Sequence, residues 1–254
     1  MSFTAWFADH SALALIVMVA GLFMASLARG YSGFGFSAVL VTSWSLVTSP
    51  ASAVALALVM EVTASLLQAR SIWKQIPWRR VGTLMAGAVI GTPAGVWLLV
   101  QVPERPLKAG IALFVLVVAT LLLAGFRLRK KAGDGGAVAV GVFSGVSNGA
   151  VAMGGLPAAL FLAADGDHPA RIRAASIAYI FLLDVMAIGL LWNEGLVGMQ
   201  TFVHWSFAVP VLVLGMWLGT RHFLGATPES FRRITLWMLV GLALAGIGRA
   251  LFGA

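Results

Sequence analysis

Ala28-Arg-Gly-Tyr-Ser-Gly-Phe-Gly-Phe-Ser37 sets three glycines and a full positive charge between two apolar runs. Such a stretch breaks a helix inside a membrane. Lipid offers backbone N–H and C=O groups no partner, so non-helical chain at that depth persists only where protein or a wet cavity covers it. A companion stretch, Ser147-Asn-Gly-Ala-Val-Ala-Met-Gly-Gly-Leu-Pro157, lies in the second half, again between apolar arms. One such break per half is the sequence pointer to a transporter's binding site.

Composition agrees. Of the 254 residues, 60% are hydrophobic and 10% charged, and the mean hydropathy of +0.97 lies far outside the range of soluble domains. Apolar runs at 11–28, 51–69, 81–100, 108–126, 174–192, 203–220 and 233–252 each approach the ~20 residues that cross a bilayer as a helix. Barrel strands would be shorter and of alternating character. The reading is therefore an all-α polytopic membrane protein. Cysteine is absent, which excludes thiol chemistry, disulfides and thiolate metal sites. Residues 1–10 hold no Lys or Arg, so no cleavable secretory leader is expected. The net charge of +8 is read as topological, with basic loops held in the cytoplasm, rather than as a nucleic-acid surface.

The chain divides into two repeats, 1–131 and 132–254. Each opens with a broken segment, 11–48 or 137–164, followed by three spans: 51–69, 81–100 and 108–126 in the first half, 174–192, 203–220 and 233–252 in the second. Leu58-Val-Met-Glu61-Val pairs with Phe181-Leu-Leu-Asp184-Val, and Gly91-Thr-Pro-Ala-Gly95 with Gly215-Met-Trp-Leu-Gly219. Internal repeats of this kind recur in transporters. If each broken segment returns to its own side, the halves are inverted and 13 of the 17 Lys and Arg residues face the cytoplasm. If each crosses fully, the count is 9 inside against 7 outside. The positive-inside bias favours inversion. Trp73, Trp78, Trp97, Trp192 and Trp205 fall near span ends, where interfacial aromatics belong.

Candidate chemistry concentrates at the breaks. Arg29 with Gly30, Tyr31, Ser32, Gly33, Gly35 and Ser37 places a cation and hydroxyls beside backbone that a ligand can approach closely. Free N–H groups at the start of the second arm would add a positive helix end for an oxyanion. The competing reading is an Arg that snorkels to the interface beside packing glycines. Ser147, Asn148, Gly154 and Gly155 make the corresponding proposal in the second half, without a charge. Glu61 and Asp184 lie about ten residues into their spans, and intramembrane carboxyls are candidate proton carriers; the alternative is a structural acid hydrogen-bonded between helices. His10, His168, His204 and His222 lie near span ends without metal-ligand spacing, so neither a metal site nor a cofactor is expected. An alternative function is an intramembrane serine hydrolase, since Gly30-Tyr-Ser32-Gly33 fits Gly-x-Ser-Gly; it would need His204 or His222 within reach of Ser32.

Gly33-Phe-Gly35-Phe-Ser37, Gly91-Thr-Pro-Ala-Gly95, Gly154-Gly155-Leu-Pro157 and the Pro-Ala-Arg-Ile-Arg173 run, in this order and spacing over nearly the whole chain, resemble the sulfite exporter TauE/SafE family of bacterial membrane transporters. The resemblance implies a multi-pass protein of the bacterial inner membrane that moves a small anion such as sulfite, a sulfonate, sulfoacetate or thiosulfate. The expected partners are that anion and the lipid bilayer, with a homodimer left open. The chain departs from the family pattern at Phe36, where a third glycine is common, and at Arg29.

Overall fold

A computed structural model describes residues 11–33, 35–124, 133–164 and 168–223, together with 237, 239–244, 246 and 248 of the last apolar run. Every regular element among them is helical. In chain order these are α1 (Ala12–Ser32), α2 (Phe36–Trp44), α3 (Pro50–Ile72), α4 (Trp78–Gln101), α5 (Glu104–Leu123), α6 (Asp134–Val151), α7 (Gly155–Ala164), α8 (Pro169–Asn193) and α9 (Met199–Phe223). A 3₁₀ turn, Trp73–Gln75, follows α3. Among the described residues, five stretches are long and apolar enough to cross a membrane: Ala12–Tyr31, Pro50–Gln75, Trp78–Gln101, Ala170–Asn193 and Met199–Arg221. The chain is an all-α polytopic membrane protein. The predicted span 233–252 and the basic stretches 127–132 and 224–233 lie largely outside the described residues.

Local chemistry explains where the helices start. Ser11 accepts from the Ala14 N–H at the head of α1. Ser49 accepts from Ser52 ahead of α3, with Pro50 in its first turn. His168 accepts from Ala170 before Pro169 on α8. Each satisfies an N–H that a helix start leaves open, and Pro sits where its missing N–H costs nothing.

The two breaks are narrower than the composition implies. Arg29, Gly30, Tyr31 and Ser32 are the last turn of α1, so the first break is confined to 33–35. The second is confined to 152–154, which gives α6 18 residues and α7 10. Glycine propensity is a weak prior, and helix packing outweighs it here. Both segments double back. Trp44 Nε1 donates to Met18 O at 3.0 Å, and Ser43 packs against Gly21, so α2 runs back toward the start of α1. Phe161 of α7 stacks under Arg80, and Arg80 lies 3.8 Å from Asp134, so α7 returns toward the start of α6.

The hairpins are seated on the opposite halves. On α4, Gly87, Gly91 and Gly95 meet the backbone of residues 138–142, 142–146 and 146–150 of α6; Gly141, Gly145 and Gly149 return the contact against residues 84–87, 88–92 and 92–96. The register ascends on both helices, so they run parallel. A Cβ at Gly91 would stand 2.1 Å from Val142 O, so only hydrogen fits at this crossing. Small residues that let backbones touch are how helices associate without a hydrophobic drive between them. α1 and α9 form the corresponding parallel pair, in which Phe23 and Leu27 meet Gly215 and Gly219, and Gly30 meets Met216. Leu66, Leu67, Ile90, Trp97 and Leu214 point outward, as lipid-facing side chains do. α3 and α8 cross at the centre.

Candidate functional site

Arg29 is fully buried. A helix that ends at 32 brings its side chain back over its own C-terminus, where Nη1 donates to Gly33 O at 2.8 Å. Nη2 donates to Ser65 Oγ at 2.6 Å. Glu61, one turn before Ser65 on α3, places Oε1 3.8 Å from Nη1. This is not a snorkelling arginine: it is held inward, with a carboxylate as its counter-charge.

Asn148 holds the matching place at the second break. Gly33, in the left-handed region at φ 80°, caps α1 four residues after Arg29. Ala152, at φ 57°, caps α6 four residues after Asn148. Asn148 Nδ2 donates to Asp184 Oδ1 at 2.9 Å, and its Oδ1 accepts from Gly154 N–H at 3.1 Å. Ser144 Oγ donates to Gly154 O and accepts from Tyr179 OH, so the second break is tied down on both of its polar sides.

The two acids then join the breaks. The Glu61 carboxyl faces the Asp184 carboxyl and approaches the hydroxyl and backbone N–H of Ser37, at the start of α2. A line of polar groups therefore runs Arg29, Glu61, Asp184, Asn148 through an apolar interior, every member at most 3% exposed. Three atoms beside this line, Arg29 Nε, Ser37 Oγ and Asp184 Oδ2, are buried without a hydrogen-bond partner. Buried polar atoms are normally paired; Ser37 and Asp184 face the Glu61 carboxyl, which leaves the Arg29 Nε–H as the open donor.

The glycines expected to admit a ligand divide. A Cβ at Gly30 would stand 2.4 Å from Met216 O, at Gly154 2.5 Å from Ser144 O, and at Gly155 2.7 Å from Ile180 Cδ1. These three serve helix packing. Gly33, at φ 80°, lies against Arg173. Gly35, at φ 85°, has nothing within 4 Å, and it opens α2 without a side-chain cap. Ser147 donates back to Phe143 O within its own helix. Tyr31 is buried beside the cluster, whereas the side chain of Ser32 lies outside the described residues. Ser65 and the Ser144–Tyr179 pair join this cluster although motif reading passed over them, and Arg173, singled out in the sequence only as the end of the Pro-Ala-Arg-Ile-Arg173 run, lies beside it. Ser65 was findable, because it lies one turn from Glu61 on the same helix face.

Of the two histidines that the hydrolase alternative needs, His204 is out of register with Ser32, and the side chain of His222 lies outside the described residues. Gly30 meets Met216, and His204 lies about 18 Å earlier along α9 at 1.5 Å per residue. Comparison with known proteins settles the class. Residues 17–246 match the family described as sulfite exporter TauE/SafE. The chain belongs to this family. Like other TauE/SafE proteins it is a multi-pass membrane transporter and not an enzyme. It is 26% identical over 192 residues to a probable inner membrane transporter protein TsaS of Comamonas testosteroni, covering 75% of this chain and 80% of that one. It is 27% identical over 177 residues to a probable sulfite/organosulfonate exporter TauE of Cupriavidus necator, covering 66% and 68%. No solved structure matches.

Proposed function

We propose that this TauE/SafE protein carries a small sulfur oxyanion, of the sulfite, sulfonate or sulfoacetate kind, out across the inner (plasma) membrane, coupled to protons through Glu61 and Asp184. The observation that carries the reading is the buried polar line joining the two breaks. An anion that leaves water is stabilised only by charge-assisted hydrogen bonds, each worth about 1.5–3 kcal/mol. Arg29, Ser37 and the open backbone at Gly35 offer donors of that kind. Asn148 holds Asp184 toward the same place.

Charge balance gives the coupling. With the site empty, Glu61 neutralises Arg29. Asp184 holds a proton throughout, because two adjacent carboxylates repel in a dry interior, and when a bound anion takes over the pairing with Arg29, Glu61 takes up a proton of its own. Release of the anion on one side frees Arg29 to recapture Glu61, and the proton leaves. Every group named belongs to one chain.

The halves are inverted repeats in this reading. Parallel pairing of α4 with α6, and of α1 with α9, is what two halves of opposite direction produce. Both termini then lie outside the cytoplasm. Alternating access would follow from rocking one half against the other around the central acids.

Proteoliposomes loaded with [³⁵S]sulfite or sulfoacetate test the function. Efflux should rise when an outward proton gradient, acid inside the vesicle, is imposed, and Glu61→Gln or Asp184→Asn should abolish that response. Calorimetry on folded protein should show Arg29→Ala weakening anion binding tenfold or more, about 1.4 kcal/mol. Arg29→Lys should recover part, because Lys lacks the planar fork. Wild-type affinity in Arg29→Ala, or full proton response with both acids neutralised, would reject the site.

A further inference from the structure

A second cation stands next to Arg29, and among the described residues it has no counter-charge. Arg173, in the second turn of α8, donates Nη2 to Gly30 O at 3.2 Å, and its Cγ packs against Gly33. Its Nε is buried without a partner. Among the described residues no carboxylate lies within ion-pair distance of it, whereas Arg29 has Glu61. Two arginines thus flank one side of the first break, and among the described residues only one of them is compensated.

A polar track leads from this point to the central acids. On α3, Glu61, Ser65 and Gln68 follow one another at the spacing that keeps side chains on one helix face. All three are buried, while Leu66 and Leu67 beside them face outward. Both amide atoms of Gln68, Oε1 and Nε2, are buried without a partner. α8 descends along the same face, with Asp184 beside Glu61 and Arg173 at the level of the last turn of α1. The unpaired groups of Gln68 and Arg173 therefore lie between the central acids and the ends of α3 and α8 that meet the basic segment 70–80.

We propose that Arg173 and Gln68 form an outer binding position for the transported oxyanion, on the 70–80 side of the first break, occupied before the anion reaches Arg29. The inference rests on the transport reading above. The ligand is a small tetrahedral or pyramidal oxyanion that accepts from a guanidinium and a carboxamide together. A guanidinium suits it, because its fork binds two oxygens of one anion. A cation without a carboxylate partner attracts an anion and leaves no fixed acid to displace. Arg29, which must first give up Glu61, is the slower and more selective second stop. Gly33 adds a constraint: a side chain there would press on Arg173 Cγ at 3.0 Å.

Concentration-dependent [³⁵S]sulfite transport in proteoliposomes, read as KM against maximal rate, tests this. Arg173→Gln should raise KM tenfold or more with the maximal rate within about twofold of wild type, and Arg173→Lys should restore most of the affinity. In Gln68→Cys, placed in a chain without cysteine, a membrane-impermeant thiol reagent should react from the 70–80 side alone, and 10 mM sulfite should slow the reaction at least threefold. That measurement decides the matter if Arg173→Gln does not fold. Unchanged KM in Arg173→Gln, or loss of rate without change in KM, would make Arg173 a clasp on Gly30 and overturn the inference, as would labelling of Gln68→Cys indifferent to sulfite. A wild-type protein that moves neither sulfite nor sulfoacetate would overturn the transport reading on which the inference stands.

Discussion

The breaks at 33–35 and 152–154 have the same geometry and opposite chemistry. Each ends a long arm in a left-handed residue, and each places a polar side chain four residues earlier against a carboxyl on a central helix. At the first break that side chain is a cation, Arg29, paired with Glu61 at 3.8 Å; at the second it is a neutral amide, Asn148, bonded to Asp184 at 2.9 Å. Their surroundings differ in the same sense. The second arm is locked to α4 by six glycines, to its own hairpin by Ser144 and Asn148, and to α8 by Tyr179. The first carries unpaired buried donors and an open glycine. One break is built as an anchor, and the other is the receptor in the function proposed above.

Charge should produce the largest effect. Glu61→Leu leaves Arg29 buried without its counter-charge, and about 3–5 kcal/mol of stability should be lost. Adding Arg29→Met should return most of it without returning transport. Asp184→Leu strands only a neutral amide and should cost less, about 1–3 kcal/mol. Thermal unfolding in detergent reads all three, and equal losses at the two acids would erase the distinction between the breaks.

Packing comes next. Gly145→Ala would drive a methyl to 2.8 Å from the Ala88 carbonyl oxygen and the Thr92 nitrogen, and about 1–3 kcal/mol should be lost as α6 is pushed off α4. Gly82→Ala, on the same α4 with nothing within 4 Å, should lose none. If the two variants unfold together, the glycine contact is not what anchors the second arm.

The smallest effect concerns the caps. Ala152 holds a left-handed conformation that disfavours any residue with a Cβ by about 1–2 kcal/mol. Ala152→Gly should therefore stabilise the protein by about 1 kcal/mol, while Gly33→Ala should lose a similar amount or more because of Arg173. A gain at 152 accompanied by faster transport would show that the second break also moves in the cycle.

Much of this was legible before any coordinates. Hydropathy alone gives helices at 51–69, 81–100, 174–192 and 203–220, because a run of about 20 apolar residues has one stable form in lipid. The matched Glu61 and Asp184 identify the central pair, since a carboxyl at that depth needs a partner. The glycines misled where they are most numerous. Those at 30, 154 and 155 signal a wide break, yet they lie in or beside helices whose neighbours press on them, and composition does not distinguish a glycine that frees the backbone from one that makes room for another helix. The Gly87, Gly91, Gly95 and Gly141, Gly145, Gly149 series were readable as packing stripes by their four-residue spacing, but nothing in that spacing names the partner helix.

The sequence by itself determined the class, the two breaks and the acids between them, because these follow from the cost of polar groups in hydrocarbon, which any residue incurs wherever its neighbours lie. Tertiary structure alone decided that Arg29 faces Glu61 rather than the interface, that Asn148 is spent on Asp184 and Gly154, and that Arg173 reaches the first break from 143 residues away. Those outcomes depend on which helices cross and at what register. Register is set by side-chain volumes summed over whole interfaces, a quantity that no single motif contains.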